Sequence, residues 1–177
     1  MTTPFVDPQS LHNPATGTSP PASWGDAVRD GVVFCATPPS CKANRTATQS
    51  IADITATAVP FDAADSWDTD SIHSPSTNPS RLTVPSGLGG KYLIVASVPW
   101  ANHTNGWRDL TIRANGSTSL DSTRAGTGVA NPYPISTITT IQQLAAGTYV
   151  EVVVWQNSGA ALNVLAGATV TIMQVSL

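Results

Sequence analysis

The chain has 177 residues, a net charge of −3 and only 11% charged residues, against about 25% in an average soluble protein. Its cationic residues, Arg29, Lys42, Arg45, Arg81, Lys91, Arg108, Arg113 and Arg124, are dispersed. The counterion-displacing patch that nucleic acid demands is therefore missing, and nucleic acid is excluded as the main partner. No run approaches the roughly 18 apolar residues of a membrane-spanning helix, so no membrane partner is expected either.

A chain of this length makes one ordinary domain and buries about 70% of its unfolded surface. Its polar surface is built from Ser, Thr, Asn and Gln, which lose less than charges do when dehydrated. Such a surface suits packing against copies of the same chain. The opening Met1-Thr2-Thr3-Pro4-Phe5 lacks the basic and apolar stretches of a secretory signal. The expectation is a protein that stays in the cytosol that made it or leaves inside a larger assembly.

Residues 1–21 carry Pro4, Pro8, Pro14, Pro20 and Pro21 and read as an extended polar arm. Ser23 and Asp26 then form an S-x-x-D capping box. Trp24, Ala27, Val28 and Val32 share one helical face. A short helix over about 23–33 is expected, and it cannot bury that face alone. It needs the domain, a sister subunit or a foreign surface. The arm is assigned to residues 1–41 and a β domain to 42–177. Cys35 and Cys41 bracket Pro38-Pro39 and could close a small loop, but a reducing cytosol favours free thiols.

Beyond residue 42 the chain becomes short β-type runs between turn residues, as in a sandwich or barrel. The expected strands are Ile51 to Phe61, Arg81 to Val84, Lys91 to Val98, Trp107 to Ala114, Thr118 to Arg124, Pro134 to Ile141, Thr148 to Gln156 and Thr169 to Leu177. Asn115-Gly116 marks a tight hairpin. In Thr148 to Gln156 both faces are largely apolar: Val150, Val152 and Val154 on one, Tyr149, Glu151, Val153 and Trp155 on the other. The final strand is similarly apolar on both sides. A half-exposed strand should alternate, so one face is expected to meet another chain. The first set of valines is assigned to the core. Tyr92, Tyr149, Val153 and Trp155 are assigned to a subunit interface.

Gly90-Lys91-Tyr92-Leu93-Ile94-Val95 resembles the G-x-Y strand of the C1q/TNF-like jelly roll. The Asn115-Gly116 hairpin after Leu110-Thr111-Ile112 resembles the next element of that family. Leu144-Ala145-Ala146-Gly147-Thr148-Tyr149-Val150-Glu151-Val152 is similar to its L-x-x-G-D-x-V-x-V strand, with Thr148 where Asp is usual. The order fits over residues 42–177. The fold class this implies is an all-β C1q/TNF-like jelly-roll sandwich preceded by the arm and its helix. More narrowly, the chain resembles small virion proteins of tailed phages. The segments that carry this are 12–17, 21–30, 67–70 and 156–164. That resemblance implies a homotrimer around a threefold axis, tethered by its arm. Pro14, Trp24, Val28, Val32 and Phe34 would then attach it to the virion.

Catalytic chemistry is not expected. His12, His73 and His103 sit apart, without ligand spacing, and read as exposed loop residues. There is no G-x-S-x-G elbow, and Glu151 is the only glutamate. Asp109 and Asp121 flank a hairpin but have no reason to pair. Asp62, Asp65, Asp68 and Asp70 could offer oxygens to Ca²⁺; the preferred reading is a turn in which Asp caps backbone N–H groups and Trp67 packs inward. No metal or other cofactor is therefore assigned. The sequons at Asn44, Asn102 and Asn115 read as chance products of an Asn/Thr-rich surface. Trp100, Asn102 and Trp107 could form a sugar-binding tip, although both indoles capping the core is the preferred reading. The functional expectation is a trimeric capsid decoration protein bound to the major capsid protein or another virion protein. The alternative is a receptor-binding module of a head or tail fibre that recognises a host surface glycan.

Overall fold

The computed structural model describes residues 22–126 and 134–176. Pro14 lies outside the described residues, as does the side chain of Trp24. The chain enters through helix α1, Ala22–Ala36. It starts one residue before Ser23, which places Ser23 in the first turn rather than at the cap. It also runs three residues past the expected end, through Gly31. Pro38-Pro39 stops it, because proline lacks the N–H a further turn needs and disfavours helical geometry in the residue before it. The Thr37 N–H donates to Val33 O (2.8 Å) and closes the last turn.

Twelve strands follow among the described residues: β1 Ser40–Asn44, β2 Gln49–Ile51, β3 Thr57–Ala58, β4 Ala63–Asp68, β5 Arg81–Thr83, β6 Gly90–Pro99, β7 Arg108–Ala114, β8 Thr118–Ala125, β9 Ile135–Leu144, β10 Tyr149–Gln156, β11 Leu162–Val164 and β12 Thr169–Ser176. The first sheet has the order β4-β1-β12-β6-β9. The second runs β3-β10-β7-β8, with β5 also pairing β10, and β11 pairs β2. Among the described residues every strand pairing is antiparallel. The β domain thus begins at Ser40, with Cys41 already in its core.

Two-residue alternation divides each sheet into a core face and an outer face. Ile94, Ala96, Val98, Val170 and Ile172 from the first sheet meet Leu110, Ile112, Val150, Val152 and Val154 from the second, with Phe61 and Trp100 among them. The core assignment of Val150, Val152 and Val154 matches their burial. The expected hairpin forms as well: Asn115 and Gly116 both take positive φ, 51° and 76°, as a tight turn between right-twisted strands requires. Asn115 straps this turn to β10, its N–H donating to Tyr149 O (2.9 Å) and its Oδ1 accepting from the Tyr149 N–H (3.2 Å).

Three expectations change. The single strand foreseen from Ile51 to Phe61 is two, β2 and β3, separated where Ile54 adopts a φ of 54°. Tyr92 is not at a subunit interface: it lies wholly inside the sandwich and donates its hydroxyl to Leu88 O (2.6 Å). Val153 is buried within the single chain as well, between register partners Ala58 and Thr111.

Burial, with a smaller contribution from Asp70, pushes the Tyr92 phenol up from 10.0 to about 12. Its folded pKa exceeds its unfolded one, so this contribution to stability is complete below pH 10.0 and is lost as pH rises towards about 12. The expected slope is about 1.4 kcal/mol per pH unit in that window. Urea midpoints measured at about pH 8 and about pH 11 should show a fall that is smaller in Tyr92→Phe. The variant itself should cost only about 1 kcal/mol near neutrality, because Leu88 O keeps the Gln174 Nε2 donor at 3.2 Å. Equal falls in both proteins would assign the alkaline loss to other groups.

Candidate functional site

Three surfaces carry chemistry beyond simple solvation. The first is α1. Val28, Val32 and Val33 are exposed on it, Val32 by 62%, and Phe34 is half-buried. Arg29 bonds Asp26 (3.2 Å) and Asp30 (3.3 Å) and covers the polar side. Among the described residues, no strand makes extended contact with the helix. Cys35 is exposed on it, while Cys41 is buried in β1, both as free thiols.

The second is the outer face of the first sheet. Met173, Leu93 and Ile141 stand in one cross-strand row, and Thr171, Val95 and Thr139 in another. Ile141 is 58% exposed and Ile135 on the same strand 62%. Trp67 extends the apolar surface at β4. It points outward over Lys42, its ring centre 5.7 Å from Nζ, and not inward as expected. Register explains this: Trp67 pairs with outward Lys42 and Asp68 with inward Cys41. The outer face of the second sheet differs. Arg124 clasps Asp109 through two bonds of 2.6 and 2.7 Å, Arg81 lies 4.2 Å over the Tyr149 ring, and Glu151 accepts from Ser80 (3.0 Å). That face is covered by ion pairs and polar contacts made within the chain, with Val153 and Glu151 buried beneath them. Tyr149 and Trp155, assigned to an interface from sequence, sit on it half-buried.

The third is the loop after β6. Trp100 is not available to a sugar: it is fully buried, its Nε1 donating to Ser136 Oγ (3.2 Å). Trp107 is 51% exposed and Asn102 is exposed, so only part of the proposed tip reaches solvent. The loop is built around Arg108, whose guanidinium is wholly buried and donates to Asn105 O (2.8 Å), Gly106 O (3.1 Å) and His103 O (3.1 Å). Burial lowers its pKa. Gly106 takes a φ of +77° and passes so close to Asn157 that a Cβ would lie 2.3 Å from that backbone oxygen. Asn157 Oδ1 in turn accepts from the Trp107 N–H (2.6 Å).

Sequence reasoning missed a cluster at the edge of the first sheet. His73 is buried rather than an exposed loop residue. Its Nδ1 meets Asp65 Oδ1 at 2.8 Å and its Nε2 meets Pro79 O at 3.1 Å. Cys41 Sγ lies within 4.8 Å of both His73 and Asp65 ligand atoms. Asp68 does cap the turn as expected, accepting from the N–H groups of Asp70 (3.4 Å), Ile72 (2.9 Å) and His73 (3.0 Å), and Asp62 pairs with Arg45 (3.3 Å). The trio is not a nucleophile and its base. Burial, then Asp68 and Asp65, push the Cys41 thiol up to about 12, and both His73 nitrogens are engaged. A thiol must ionise to attack. The residues are 24 and 8 positions apart in sequence, so no local spacing announces them.

No protein-family model matches the chain, and no curated protein matches it. Solved structures do. The globular domain of zebrafish complement 1qA protein is 14% identical, with 77% of this chain and 97% of that chain covered and a TM-score of 0.56. Murine APRIL is 14% identical over 78% of this chain and 100% of that chain, TM-score 0.57. Eiger TNF from S. frugiperda is 11% identical over 79% and 94%, TM-score 0.56. The fold is the C1q/TNF-like jelly roll, as the strand motifs implied; at these identities the likeness concerns the fold.

Proposed function

We propose that the chain is a structural, non-enzymatic virion protein of a tailed bacteriophage. It is a homotrimeric decoration protein held on the outside of the capsid by its N-terminal arm. The observation that carries this is α1, an amphipathic helix leading into the jelly roll with Val28, Val32 and Val33 exposed and, among the described residues, no strand in extended contact with it. A helix of that kind is a docking element whose partner is another protein. The uncharged polar surface and the apolar outer face of the first sheet support assembly of the domain with its own copies. The phage setting is supported by the resemblance of segments 12–17, 21–30, 67–70 and 156–164 to small virion proteins. Binding only the assembled shell stabilises that shell by mass action, and many repeated sites add avidity.

The test is occupancy on purified particles, counted by quantitative mass spectrometry. Hundreds of copies per particle are expected. Val28→Ser with Val32→Ser should lower occupancy about tenfold or more, since each valine buried on docking is worth about 1.5–3 kcal/mol, and should leave the thermal midpoint of the free protein unchanged. Full occupancy of the double variant would overturn the role of the helix. A few dozen copies per particle would favour a fibre module instead. One observation supports that second reading: Trp107 is presented to solvent by a loop rigidly held through Arg108, and an exposed indole on a fixed loop can stack on a sugar face. Loss of host-cell adsorption in Trp107→Ala, with particle occupancy retained, would select it.

A further inference from the structure

We propose that Cys41, Asp65 and His73 form a structural site for a soft-to-borderline divalent cation, Zn²⁺ above all. The site staples the first sheet at the root of the arm. Its three side chains come from separate segments. Cys41 is on β1, three residues after Pro38. Asp65 is on edge strand β4. His73 follows the turn that Asp68 caps. The β1–β4 register shifts between the Lys42/Trp67 and Asn44/Ala63 pairs, and an irregularity of this kind re-aims a side chain. Here Asp65 reaches His73.

The hydrogen bonding of His73 points to a cation. The ring faces two acceptors, Pro79 O at Nε2 and Asp65 Oδ1 at Nδ1, and a single N–H cannot serve both, so either a second ring proton or a bound cation sits between Nδ1 and the carboxylate. With that N–H donated to Pro79 O, the Nδ1 lone pair is aimed at a carboxylate oxygen, and the buried thiol stands within 4.8 Å of both. A metal ion between the three atoms satisfies all of them once its charge displaces the thiol proton to solvent, so binding releases a proton and tightens as pH rises. Donation of the second ring nitrogen to a backbone carbonyl is the outer contact that orients a metal-ligating histidine. Asp68, whose carboxylate accepts three backbone N–H groups, adds negative potential beside Cys41 without serving as a ligand.

The geometry is within reach. Zn–N and Zn–O bonds of about 2.0–2.1 Å and Zn–S of about 2.3 Å separate tetrahedral ligand atoms by roughly 3.3–3.8 Å. The ligand atoms here span 2.8 Å for His73 to Asp65 up to the 4.8 Å bound, so side-chain shifts of about an ångström complete the set. The S, N, O donor set suits zinc over the hard cations Ca²⁺ and Mg²⁺, which take oxygen.

Co²⁺ reports such a site by a near-ultraviolet thiolate charge-transfer band and visible bands of tetrahedral intensity. The titration is made on the full chain carrying Cys35→Ser, which removes the exposed thiol and leaves all three ligands in place. Bands that saturate at one equivalent and vanish on adding Zn²⁺ are expected. Zn²⁺ at about a hundredfold its dissociation constant should raise the thermal midpoint by about 5–10 °C. Asp65→Asn should weaken Co²⁺ binding at least about tenfold, and Cys41→Ser should abolish the charge-transfer band. Absence of the bands in the Cys35→Ser chain at saturating Co²⁺ overturns the site, and that measurement needs no core variant to fold. A band that appears only when Cys35 is present overturns it too, by assigning the metal to the surface thiol.

Discussion

Arg108→Met is expected to destabilise the protein by about 3–5 kcal/mol, because it strips the donor from three loop carbonyls at once. The guanidinium is fully buried and its three bonds all go to carbonyls of residues 103–106. Methionine fills similar volume, so loss of packing is minimised and the effect reports the bonds. Three carbonyls then lose their donors, and each unsatisfied buried group costs about 1–3 kcal/mol unless water reaches it. Arg108→Lys should recover part of the loss, because an ammonium donates but lacks the planar fork that reaches three acceptors from one side. The measurement is urea unfolding followed by far-ultraviolet circular dichroism, with amide exchange at Trp107 as a local reading. That N–H is bonded to Asn157 Oδ1 at 2.6 Å and should exchange faster when the loop loosens. A stability within about 1 kcal/mol of the parent would mean that Gly106 and Asn157 alone hold the loop. It would also remove the preorganisation on which sugar stacking by Trp107 depends.

The parts of this fold that were legible in the sequence are those where local chemistry and tertiary context agree. Lys91 to Val98 and Thr148 to Gln156 are β-branched runs opened by glycines, and both become central strands. Asn115-Gly116 demands positive φ twice and forms a hairpin wherever strands flank it. Where local chemistry is bland, the sequence is silent. Strand β4, Ala-Ala-Asp-Ser-Trp-Asp, has neither β-branched residues nor an apolar alternation; it is an edge strand held by its partner β1 and by Asn44, which donates to Ala64 O (2.9 Å) and Ser66 Oγ (3.0 Å). Strand pairing also decides which aromatic side chains face out. Trp100 and Trp107 look alike in sequence, at the two ends of one loop, but Trp100 continues the inward phase of Ile94, Ala96 and Val98 while Trp107 precedes the buried Arg108. The Cys41, Asp65 and His73 cluster is the limiting case, because it exists only after β1, β4 and the following turn have been brought together. The doubly apolar strands proved half informative. In β10 the second face is closed largely within the chain, and unpartnered apolar surface appears on the first sheet instead.

That surface sets the second large expectation. Ile141→Asp should convert a species three times the 18.3 kDa chain mass into single chains, read by light scattering on a gel-filtration column. Ile141 is 58% exposed, and in an isolated domain an aspartate there would change stability by no more than about 0.5 kcal/mol. In a threefold assembly through this face, the same carboxylate would be buried three times over beside Leu93 and Met173, with Lys91, diagonal to it on the same face, the one nearby cation on β6 and itself needing desolvation to pair. An uncompensated buried charge costs several kcal/mol, and symmetry multiplies that cost. Ile54→Asp is the control: Ile54 is 68% exposed on a loop at a φ of 54°, a conformation aspartate accepts more readily than a β-branched residue, so its mass should not change. A trimer that survives Ile141→Asp moves the interface off the first sheet. A parent protein that runs as a single chain leaves that sheet facing water, and the threefold decoration role falls with it. The first sheet is favoured over the second on the chemistry of the two faces. One carries Leu93, Val95, Ile141 and Met173 in register with threonines, which dehydrate cheaply. The other carries Asp109, Arg124, Arg81 and Glu151 already paired among themselves, and burying those pairs would cost desolvation without supplying any new partner.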